Sequence, residues 1–462
     1  MKLVILGGGP GGYAAAIRGA QLGAEVTLIE EKKVGGVCLN TGCIPTKTLL
    51  RAARWLHEQE KMEAYGLDAQ ITLNFEKLMQ RKDDVVEQLT SNVAMLLDAH
   101  QINIVYGRGI VQNGKTVKVT TEEGQQEISY DRLILATGSR PMMPPVPGLD
   151  LPQVVDSTGA LSFKEIPEDL TILGGGVIAV EFAILFQALG SQVTMIEMLP
   201  TILPREDELV QEAMTEILKQ RGMKVFTGAT LEKVEMDGKG LKLTAKGEGA
   251  PETVETQTLL VATGRQPNVE GIGLETLGVK LDKNAVTINE YLETNVPGVY
   301  AIGDCTAKMM LAHTAAHQGL LAAENAMGQS NRIDYRSIPG GLYTFPESAG
   351  VGMTEQEARD TRGDVKVGVF PYEALGKALA DYEMEGFIKI IAAADTDEIL
   401  GVHILGDRAT DLIAEGALAI GMEACLEEVA HQVHGHPTFN EGMGEAAMAA
   451  LGLPLHLFPE GS

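Results

Sequence analysis

The chain has 462 residues, 45% of them hydrophobic, and a formal net charge of −26 at pH 7. This length predicts about three domains. The charge argues against nucleic acid and anionic membranes as partners, because both present phosphate groups, and no apolar run reaches the ~18 residues that span a bilayer. Glycines interrupt the apolar N-terminal stretch, which therefore does not resemble a signal peptide. A cytoplasmic location is expected.

The first predicted unit is a strand, a glycine-rich turn, a helix and a second strand. Gly7, Gly9 and Gly12 form the motif G-x-G-x-x-G after the apolar residues 3–6, and the second strand ends in Glu30. These glycines permit a tight turn, a close approach to a pyrophosphate and helix packing, while the acid accepts hydrogen bonds from ribose. A dinucleotide site is predicted, the alternative being a glycine-rich turn without a ligand.

Two cysteines, Cys38 and Cys43, follow this unit in the segment GGVCLNTGCIPTK. The chain has only four cysteines, whereas a secreted disulfide scaffold uses more in a shorter chain. A cysteine pair beside a bound flavin can pass electrons between a nicotinamide and a disulfide, which makes a catalytic pair the favoured interpretation over a structural disulfide. Cys305 and Cys425 have small, apolar neighbours and are predicted to be buried, unreactive thiols.

Two helices are predicted after the cysteines, over 46–61 and 73–99, because both segments lack internal Pro and Gly and space their apolar residues by three and four. Lys47 follows Cys43 by four residues and shares its helical face. A cation there can stabilise a reduced flavin and a nearby thiolate, the alternative being a solvated helix lysine. The proline-rich segment 141–152 is predicted to be a linker.

The first unit is repeated downstream. Residues 170–176 (LTILGGG) repeat residues 3–9 (LVILGGG), Gly174 and Gly176 are the loop glycines, and the following strand ends in Glu197. A carboxylate at this position favours a free 2′-hydroxyl and repels a 2′-phosphate. Met198 and Leu199 follow it in place of arginines, so NAD is predicted over NADP.

Each copy of the repeat also has a later buried strand that ends in a small-residue turn. The two segments are LILATG, which ends in Thr137 and Gly138, and LLVATG, which ends in Gly264. The first copy is longer between its acid and this strand. It therefore carries an insertion, and the cysteine pair lies inside that insertion.

A third cofactor signal is Asp304, at the end of the short apolar segment YAIGD. An acid there can bind a ribityl hydroxyl of a flavin, the alternative being a turn-capping aspartate. A domain boundary is predicted at 336–339. Strands at 365–370 and 387–392 and a helix at 412–419 then predict a C-terminal α+β domain.

Together these motifs resemble the pyridine-nucleotide disulfide oxidoreductase family, from about Lys2 to about Leu455. The most specific are the cysteine segment, the doubled glycine loops, the YAIGD strand and the C-terminal HGHPT. Val37, Thr41 and Thr46 vary the cysteine motif without altering either sulfur. Residues Leu311, Ala312 and His313 keep the family's Leu-Ala-His near the flavin but lack the acids that often follow. Asn440 replaces a usual Ser.

The resemblance implies an α/β fold with two Rossmann-like domains, for FAD and NAD, and a C-terminal α+β dimerisation domain. The implied segments are 1–146 for the FAD domain with the redox insertion, 147–266 for the NAD domain, 267–336 for a return segment that completes the FAD domain, and 337–462 for the dimerisation domain. A homodimer is implied as well, and no metal is expected. A zinc site that combined the cysteines with His434 and His436 would not have the usual ligand spacing.

The resemblance also implies roles for individual residues. Cys38 is the interchange sulfur that meets the substrate, Cys43 lies against the flavin, and Lys47 pairs with Glu181. His436 is the base and Glu441 orients it, in a site completed by the partner subunit, whereas His434 is expected to pack or hydrogen-bond locally. Pro437 excludes a simple helix there, so a turn must bring His436 and Glu441 together.

The branch of the family that the chain resembles most oxidises dihydrolipoamide, free or on a lipoyl-bearing domain, and reduces NAD⁺. Such enzymes serve 2-oxo acid dehydrogenase complexes or the glycine cleavage system, to which the acidic surface could dock. Three alternatives differ in substrate or class. A glutathione-reductase-like enzyme would act on a small disulfide and prefer NADPH, a mercuric reductase would need a C-terminal cysteine pair that residues 451–462 lack, and a binding protein would keep the flavin only as a structural relic.

Overall fold

The computed structural model describes residues 1–247 and 249–458. Its strands, in chain order, are β1 (Lys2–Leu6), β2 (Glu25–Glu30), β3 (Asn103–Tyr106), β4 (Arg108–Gln112), β5 (Thr116–Thr121), β6 (Gly124–Ser129), β7 (Arg132–Leu135), β8 (Ser139–Pro141), β9 (Val154–Asp156), β10 (Asp169–Leu173), β11 (Gln192–Ile196), β12 (Lys224–Phe226), β13 (Ala229–Asp237), β14 (Gly240–Gly247), β15 (Thr253–Thr256), β16 (Thr258–Val261), β17 (Arg265–Pro267), β18 (Leu281–Asp282), β19 (Ala285–Val286), β20 (Val299–Ala301), β21 (Gly340–Leu342), β22 (Glu347–Gly352), β23 (Val365–Pro371), β24 (Phe387–Ala393) and β25 (Ile399–Gly406).

The helices, in chain order, are α1 (Pro10–Gln21), α2 (Gly36–Thr41), α3 (Cys43–Met62), α4 (Phe75–Ala99), α5 (Ser157–Ala160), α6 (Val177–Ala188), α7 (Glu208–Gln220), α8 (Leu274–Leu277), α9 (Ala312–Ala326), α10 (Glu355–Arg362), α11 (Gly376–Asp381), α12 (Ala409–Gly421), α13 (Leu426–Ala430) and α14 (Glu441–Ala450). Short 3₁₀ turns lie at Glu63–Tyr65, Gly303–Thr306 and Tyr372–Ala374. Among the described residues, no helix is both long and apolar enough to cross a bilayer.

Two five-stranded parallel sheets carry the predicted repeat. Their strand orders are β20-β7-β1-β2-β3 and β12-β11-β10-β16-β9. Strand β1 corresponds to β10, β2 to β11 and β7 to β16, so the repeat is confirmed. Helices cover these strands, which explains their nearly continuous apolar character. Strand β20 joins the first sheet from the distant segment 267–336. This topology supports the predicted four-part division of the chain, which remains a prediction.

The predicted helices of the insertion are confirmed as α3 and α4, and α3 packs against the second nucleotide unit. Leu49, Leu50 and Ala53 of α3 share a buried core with Val180 and Phe182 of α6. This packing joins the cysteine helix, which belongs to the first copy of the repeat, to the helix that follows the second glycine loop.

The C-terminal unit is an antiparallel sheet, β21-β22-β25-β24-β23, as the α+β prediction requires. Helices α12 and α14 pack on this sheet and share a core with it, through residues such as Ile388, Val402 and Met443. On the other face, Phe387 and Leu405 enter the core that contains α3 and α6. The C-terminal unit is therefore anchored to α3, which begins at Cys43, and to α6.

Candidate active site

The first glycine loop joins β1 to α1 through close backbone approaches. Gly7 adopts a φ of 109°, and a Cβ there would lie 2.2 Å from the carbonyl oxygen of Ala136. A Cβ on Gly12 would lie 1.9 Å from the carbonyl oxygen of Gly7, so only glycine fits at both positions. Helix α1 starts at Pro10 with Gly9 as N-cap and has no side-chain cap. Its first N–H groups therefore remain available to an anionic phosphate.

Glu30, at the end of β2, lies beside this loop. Its Oε2 accepts a hydrogen bond from the N–H of Gly8 at 2.7 Å, and its Oε1 accepts one from the N–H of Lys32 at 2.8 Å. A carboxylate oxygen has more than one acceptor site, so both oxygens can still accept from a ribose hydroxyl. The acid is thus held in a fixed orientation next to the glycine loop.

The second loop repeats this geometry. Gly174 adopts a φ of 120°, and a Cβ there would lie 2.5 Å from the carbonyl oxygen of Ala262. Gly176 caps α6, again without a side-chain cap. Glu197 is nearly buried, and its Oε1 accepts from the N–H of Leu199 at 2.7 Å. This hydrogen bond fixes the orientation of the second acid beside the second loop.

The turns after β7 and β16 also have left-handed glycines. Gly138 has a φ of 68° and Gly264 a φ of 125°. Thr137 donates its hydroxyl to the carbonyl oxygen of Asn268 at 2.6 Å, and the Asn268 amide returns a bond to the Thr137 carbonyl oxygen at 3.1 Å. This double contact ties the turn after β7 to the segment that follows β17.

The two cysteines lie next to the first glycine loop, on α2 and at the start of α3. A Cβ on Gly36 would lie 2.6 Å from the Cα of Gly9, so the start of α2 is in direct contact with that loop. Cys38 and Cys43 are half-buried free thiols. A hydrogen bond from Cys38 lowers the pKa of Cys43 to about 7, with Lys47 contributing, while the same bond and burial raise the pKa of Cys38. One thiolate can therefore form near neutral pH, at Cys43.

Lys47 and Glu181 form an ion pair between α3 and α6. The Lys47 Nζ lies 2.7 and 2.8 Å from the two carboxylate oxygens of Glu181. A third hydrogen bond comes from the N–H of Tyr343, 3.1 Å from Oε1 of Glu181, and the Tyr343 ring centroid lies 4.6 Å from the Lys47 Nζ. The pair predicted from the family resemblance is thus present, with an additional contact from the C-terminal unit.

Asp304 is held by residues of the two strands that connect the nucleotide units. Ser139, on β8, donates its hydroxyl to Oδ2 of Asp304, and Arg265, on β17, lies 3.8 Å from the same oxygen. The Arg265 Nε also donates to the Ser139 hydroxyl oxygen at 2.7 Å. Burial lowers the pKa of Arg265, although the Asp304 charge opposes this shift. Asp304 is thus an oriented carboxylate.

The start of α9 carries the Leu-Ala-His segment. Leu311 is its N-cap without a side-chain cap, so the N–H groups of Ala312 and His313 lack the usual helical acceptors. The Nε2 of His313 lies 2.8 Å from the Pro339 carbonyl oxygen. Thr314 is fully buried, and among the described residues its hydroxyl has no hydrogen-bond partner. The uncapped N–H groups of Ala312 and His313 are of the kind that bind a polar ring edge.

His436 and Glu441 are brought together by a turn before α14. The His436 Nδ1 lies 2.8 Å from Oε1 of Glu441, and the N–H of Thr438 donates to Oε2 at 2.8 Å. Burial would raise the pKa of Glu441, but these bonds hold it below its usual value. The His436 side chain is 78% exposed. His434 instead pairs with Glu415 at 2.8 Å, which confirms its local role.

Some features of the site were not predicted. Tyr343, Ser139 and Arg265 were not among the predicted site residues, and each has a partner more than a hundred residues away in the chain. The prediction for the other cysteines is confirmed for Cys305, which is fully buried, but wrong for Cys425, which is half-buried. Cys425 is the N-cap of α13 and lies just before the first turn of that helix, whereas the neighbouring Leu426 is buried in the core. Within the described part of the chain, no group of three metal-ligating side chains occurs.

Two glycine loops at helix starts, a cysteine pair beside the first loop and a histidine–glutamate pair are together the arrangement expected of an oxidoreductase that uses paired thiols. Residues 1–319 match the model of the family described as pyridine nucleotide-disulphide oxidoreductase, and residues 338–447 match that family's dimerisation domain. The chain belongs to this family. The resemblance and the fold class predicted from the sequence are therefore confirmed.

Several curated relatives that match nearly the whole chain are dihydrolipoyl dehydrogenases. One from Thermus scotoductus is 43% identical and one from Bacillus subtilis is 40% identical, each alignment covering 98% of both chains. Among solved structures, LpdA from Mycobacterium tuberculosis is 27% identical with a TM-score of 0.90, covering 97% of this chain and 99% of that one. The HOCl-induced flavoprotein disulfide reductase RclA from Escherichia coli is 29% identical with a TM-score of 0.86, with the same coverage. The chain is an oxidoreductase of the dihydrolipoyl dehydrogenase type.

Proposed function

We propose that the chain oxidises dihydrolipoamide to lipoamide with NAD⁺, and that the cycle runs through a Cys38–Cys43 disulfide. The observation that carries this proposal is the contact of Gly36 with Gly9, which seats the cysteine segment on the first dinucleotide loop. The names of the full-length relatives support the same substrate. The substrate is a lipoyl group on a protein domain or a small free dithiol.

FAD is proposed at the first loop. Its pyrophosphate fits the uncapped start of α1 beside Gly7, Gly9 and Gly12, and Glu30 would accept from the adenosine ribose. Asp304 would accept from a ribityl hydroxyl, and the turn at Thr137 and Gly138 would line the same site. The N–H groups of Ala312 and His313, which follow the N-cap Leu311, would meet the edge of the ring. Gly9 leaves open space at this loop, because a Cβ there would approach only the Cα of Gly36, at 3.7 Å, and a pyrophosphate fits that space.

NAD is proposed at the second loop. Gly174, Gly176 and Gly264 would line the backbone path, and the start of α6 would hold the pyrophosphate. Glu197 would accept from the free ribose hydroxyls, which favours NAD over NADP. Glu181, on the same helix, would lie near the nicotinamide.

The dithiol is oxidised by thiol–disulfide exchange. His436, oriented by Glu441, takes a proton from one substrate thiol, and the resulting thiolate attacks Sγ of Cys38. A substrate–Cys38 bond forms, the Cys38–Cys43 bond breaks, and Cys43 leaves with the electron pair as a thiolate facing Lys47. The second substrate thiol, once deprotonated, then displaces Cys38 and closes lipoamide. FAD supplies the two-electron chemistry that returns the cysteine pair to the disulfide and reduces NAD⁺.

One set of assays tests the proposal. The purified protein should show a flavin spectrum and should turn over dihydrolipoamide with NAD⁺ much faster than glutathione disulfide with NADPH. C38S should abolish NADH formation and keep the flavin, whereas C425S, at a cysteine outside the site, should retain activity. Normal turnover by C38S, or a preference for glutathione disulfide and NADPH, would contradict the proposal.

The match of residues 338–447 to the family's dimerisation domain supports a homodimer. We propose that each active site uses His436 of the partner subunit. The exposure of His436 supports this, because a base must be covered by the substrate and by a neighbouring surface during catalysis. Docking to a 2-oxo acid dehydrogenase or glycine cleavage assembly through the acidic surface belongs to the same proposal.

A further inference from the structure

Tyr343 lies where the C-terminal unit packs against helices α3 and α6. Its neighbours Leu342 and Phe345 are buried in the same core as Leu49 of α3 and Val180 of α6. The backbone at Tyr343 is therefore anchored to the two helices that carry Lys47 and Glu181. Tyr343 itself is 45% exposed, so its ring contributes little to that core.

Two contacts connect Tyr343 to the ion pair. Its N–H and the Lys47 Nζ both donate to Oε1 of Glu181, at 3.1 and 2.7 Å, which fixes the carboxylate. The ring lies under the Lys47 ammonium at 4.6 Å, within the range of a cation–π interaction. Among the described residues, the Tyr343 hydroxyl has no hydrogen-bond partner. The ring face and the backbone, and not the hydroxyl, make the contacts.

We propose that Tyr343 is a positioning residue, which holds the Lys47 ammonium between Glu181 and Cys43 and so stabilises the Cys43 thiolate. Lysine has a long, flexible side chain with three rotatable donors, and the Lys47 side chain is 28% exposed. Without an aromatic face beneath it, the ammonium gains access to water and to other rotamers. Lys47 acts to lower the pKa of Cys43 and Glu181 acts to raise it. A displaced Lys47 would therefore leave the thiolate less stabilised.

The test compares Y343F, which keeps the ring, with Y343L, which removes it. In the C38S background Cys43 is the remaining thiol of the pair, and its alkylation by iodoacetamide, followed by peptide mass spectrometry as a function of pH, reports its titration. Y343F should leave the midpoint unchanged, and Y343L should raise it by about 0.5–1 pH unit. In the otherwise native holoenzyme, Y343L should lower kcat about 10-fold, with little change in KM for dihydrolipoamide.

A double-mutant cycle with K47M separates positioning from a structural effect. If Tyr343 acts through Lys47, Y343L should shift the Cys43 midpoint no further in a K47M background. An unchanged midpoint in Y343L, equal effects of Y343F and Y343L, or full additivity with K47M would each overturn the proposal. The proposal rests on the proposed function, but the two fail separately: wild-type protein inactive toward dihydrolipoamide contradicts the function, whereas the Cys43 titration still tests Tyr343.

Discussion

At the scale of single residues, the C-terminal turn offers two histidines with similar partners and different surroundings. His434 and His436 each lie 2.8 Å from a glutamate oxygen. The His434 side chain is 10% exposed and that of His436 78%. The hydrogen bond to Glu415 raises the pKa of His434. His434 is therefore suited to holding the turn, while the exposed ring of His436 offers Nε2, which has no hydrogen-bond partner among the described residues, to an incoming thiol.

We expect H436Q to lower kcat for dihydrolipoamide oxidation by about 10²-fold or more, because glutamine cannot accept the thiol proton. H434Q provides the matched control and should change kcat far less, since it leaves the hydrogen bond between His436 and Glu441 in place. Steady-state NADH formation at saturating dihydrolipoamide measures both. Near-wild-type turnover by H436Q, or an equal loss in H434Q, would remove His436 from the role of base.

At the scale of secondary-structure elements, the contact between the first glycine loop and α2 is the feature that places the cysteine pair beside the proposed nucleotide site. Gly36 has a φ of 58°, and its Cβ position lies 2.6 Å from the Cα of Gly9. Gly23 has a φ of 85° with nothing within 4 Å of a Cβ. The two glycines thus share a left-handed backbone, but only Gly36 also packs against the loop.

G36A should therefore lose bound flavin, whereas G23A should keep it. Both substitutions pay for a left-handed alanine with about 1–2 kcal/mol of stability, so their thermal midpoints should fall by similar amounts from this cause. Only G36A adds a clash that must move α2 or the loop. The ratio of absorbance at 280 and 450 nm after purification measures the flavin content. Full flavin occupancy in G36A would show that the contact does not shape the site.

Elements with a local motif could be predicted from the sequence, whereas contacts between distant segments could not, apart from the Lys47–Glu181 pair that the family resemblance implied. The two glycine loops and the helices around the cysteines follow from spacing within short segments, such as Gly7 to Glu30. The position of Tyr343 beside Lys47 depends on how a C-terminal sheet packs on two N-terminal helices. Cys425 was predicted to be buried because its neighbours are apolar. It is the N-cap of α13, however, and at this position its side chain is only half-buried.

At the scale of the whole molecule, the cysteines and the histidine lie in different units of the chain. Cys38 and Cys43 belong to the first nucleotide unit, and His436 belongs to the region that matches the family's dimerisation domain. In a symmetric dimer, the same surface of each subunit forms the interface, so two equivalent sites arise together. If each site combines cysteines from one subunit with His436 of the partner subunit, two inactive variants can complement each other.

A heterodimer of one C38S subunit and one H436Q subunit, isolated with two different affinity tags, should therefore recover about half of the wild-type activity, because one of its two symmetric sites is intact. The reciprocal heterodimer pairs a wild-type subunit with a C38S/H436Q subunit and should be inactive, since each of its sites lacks one group. A site formed within one subunit reverses both results: the first heterodimer would be inactive and the second half-active. The same pair of proteins thus decides between the two arrangements, independently of how much each single variant loses in stability.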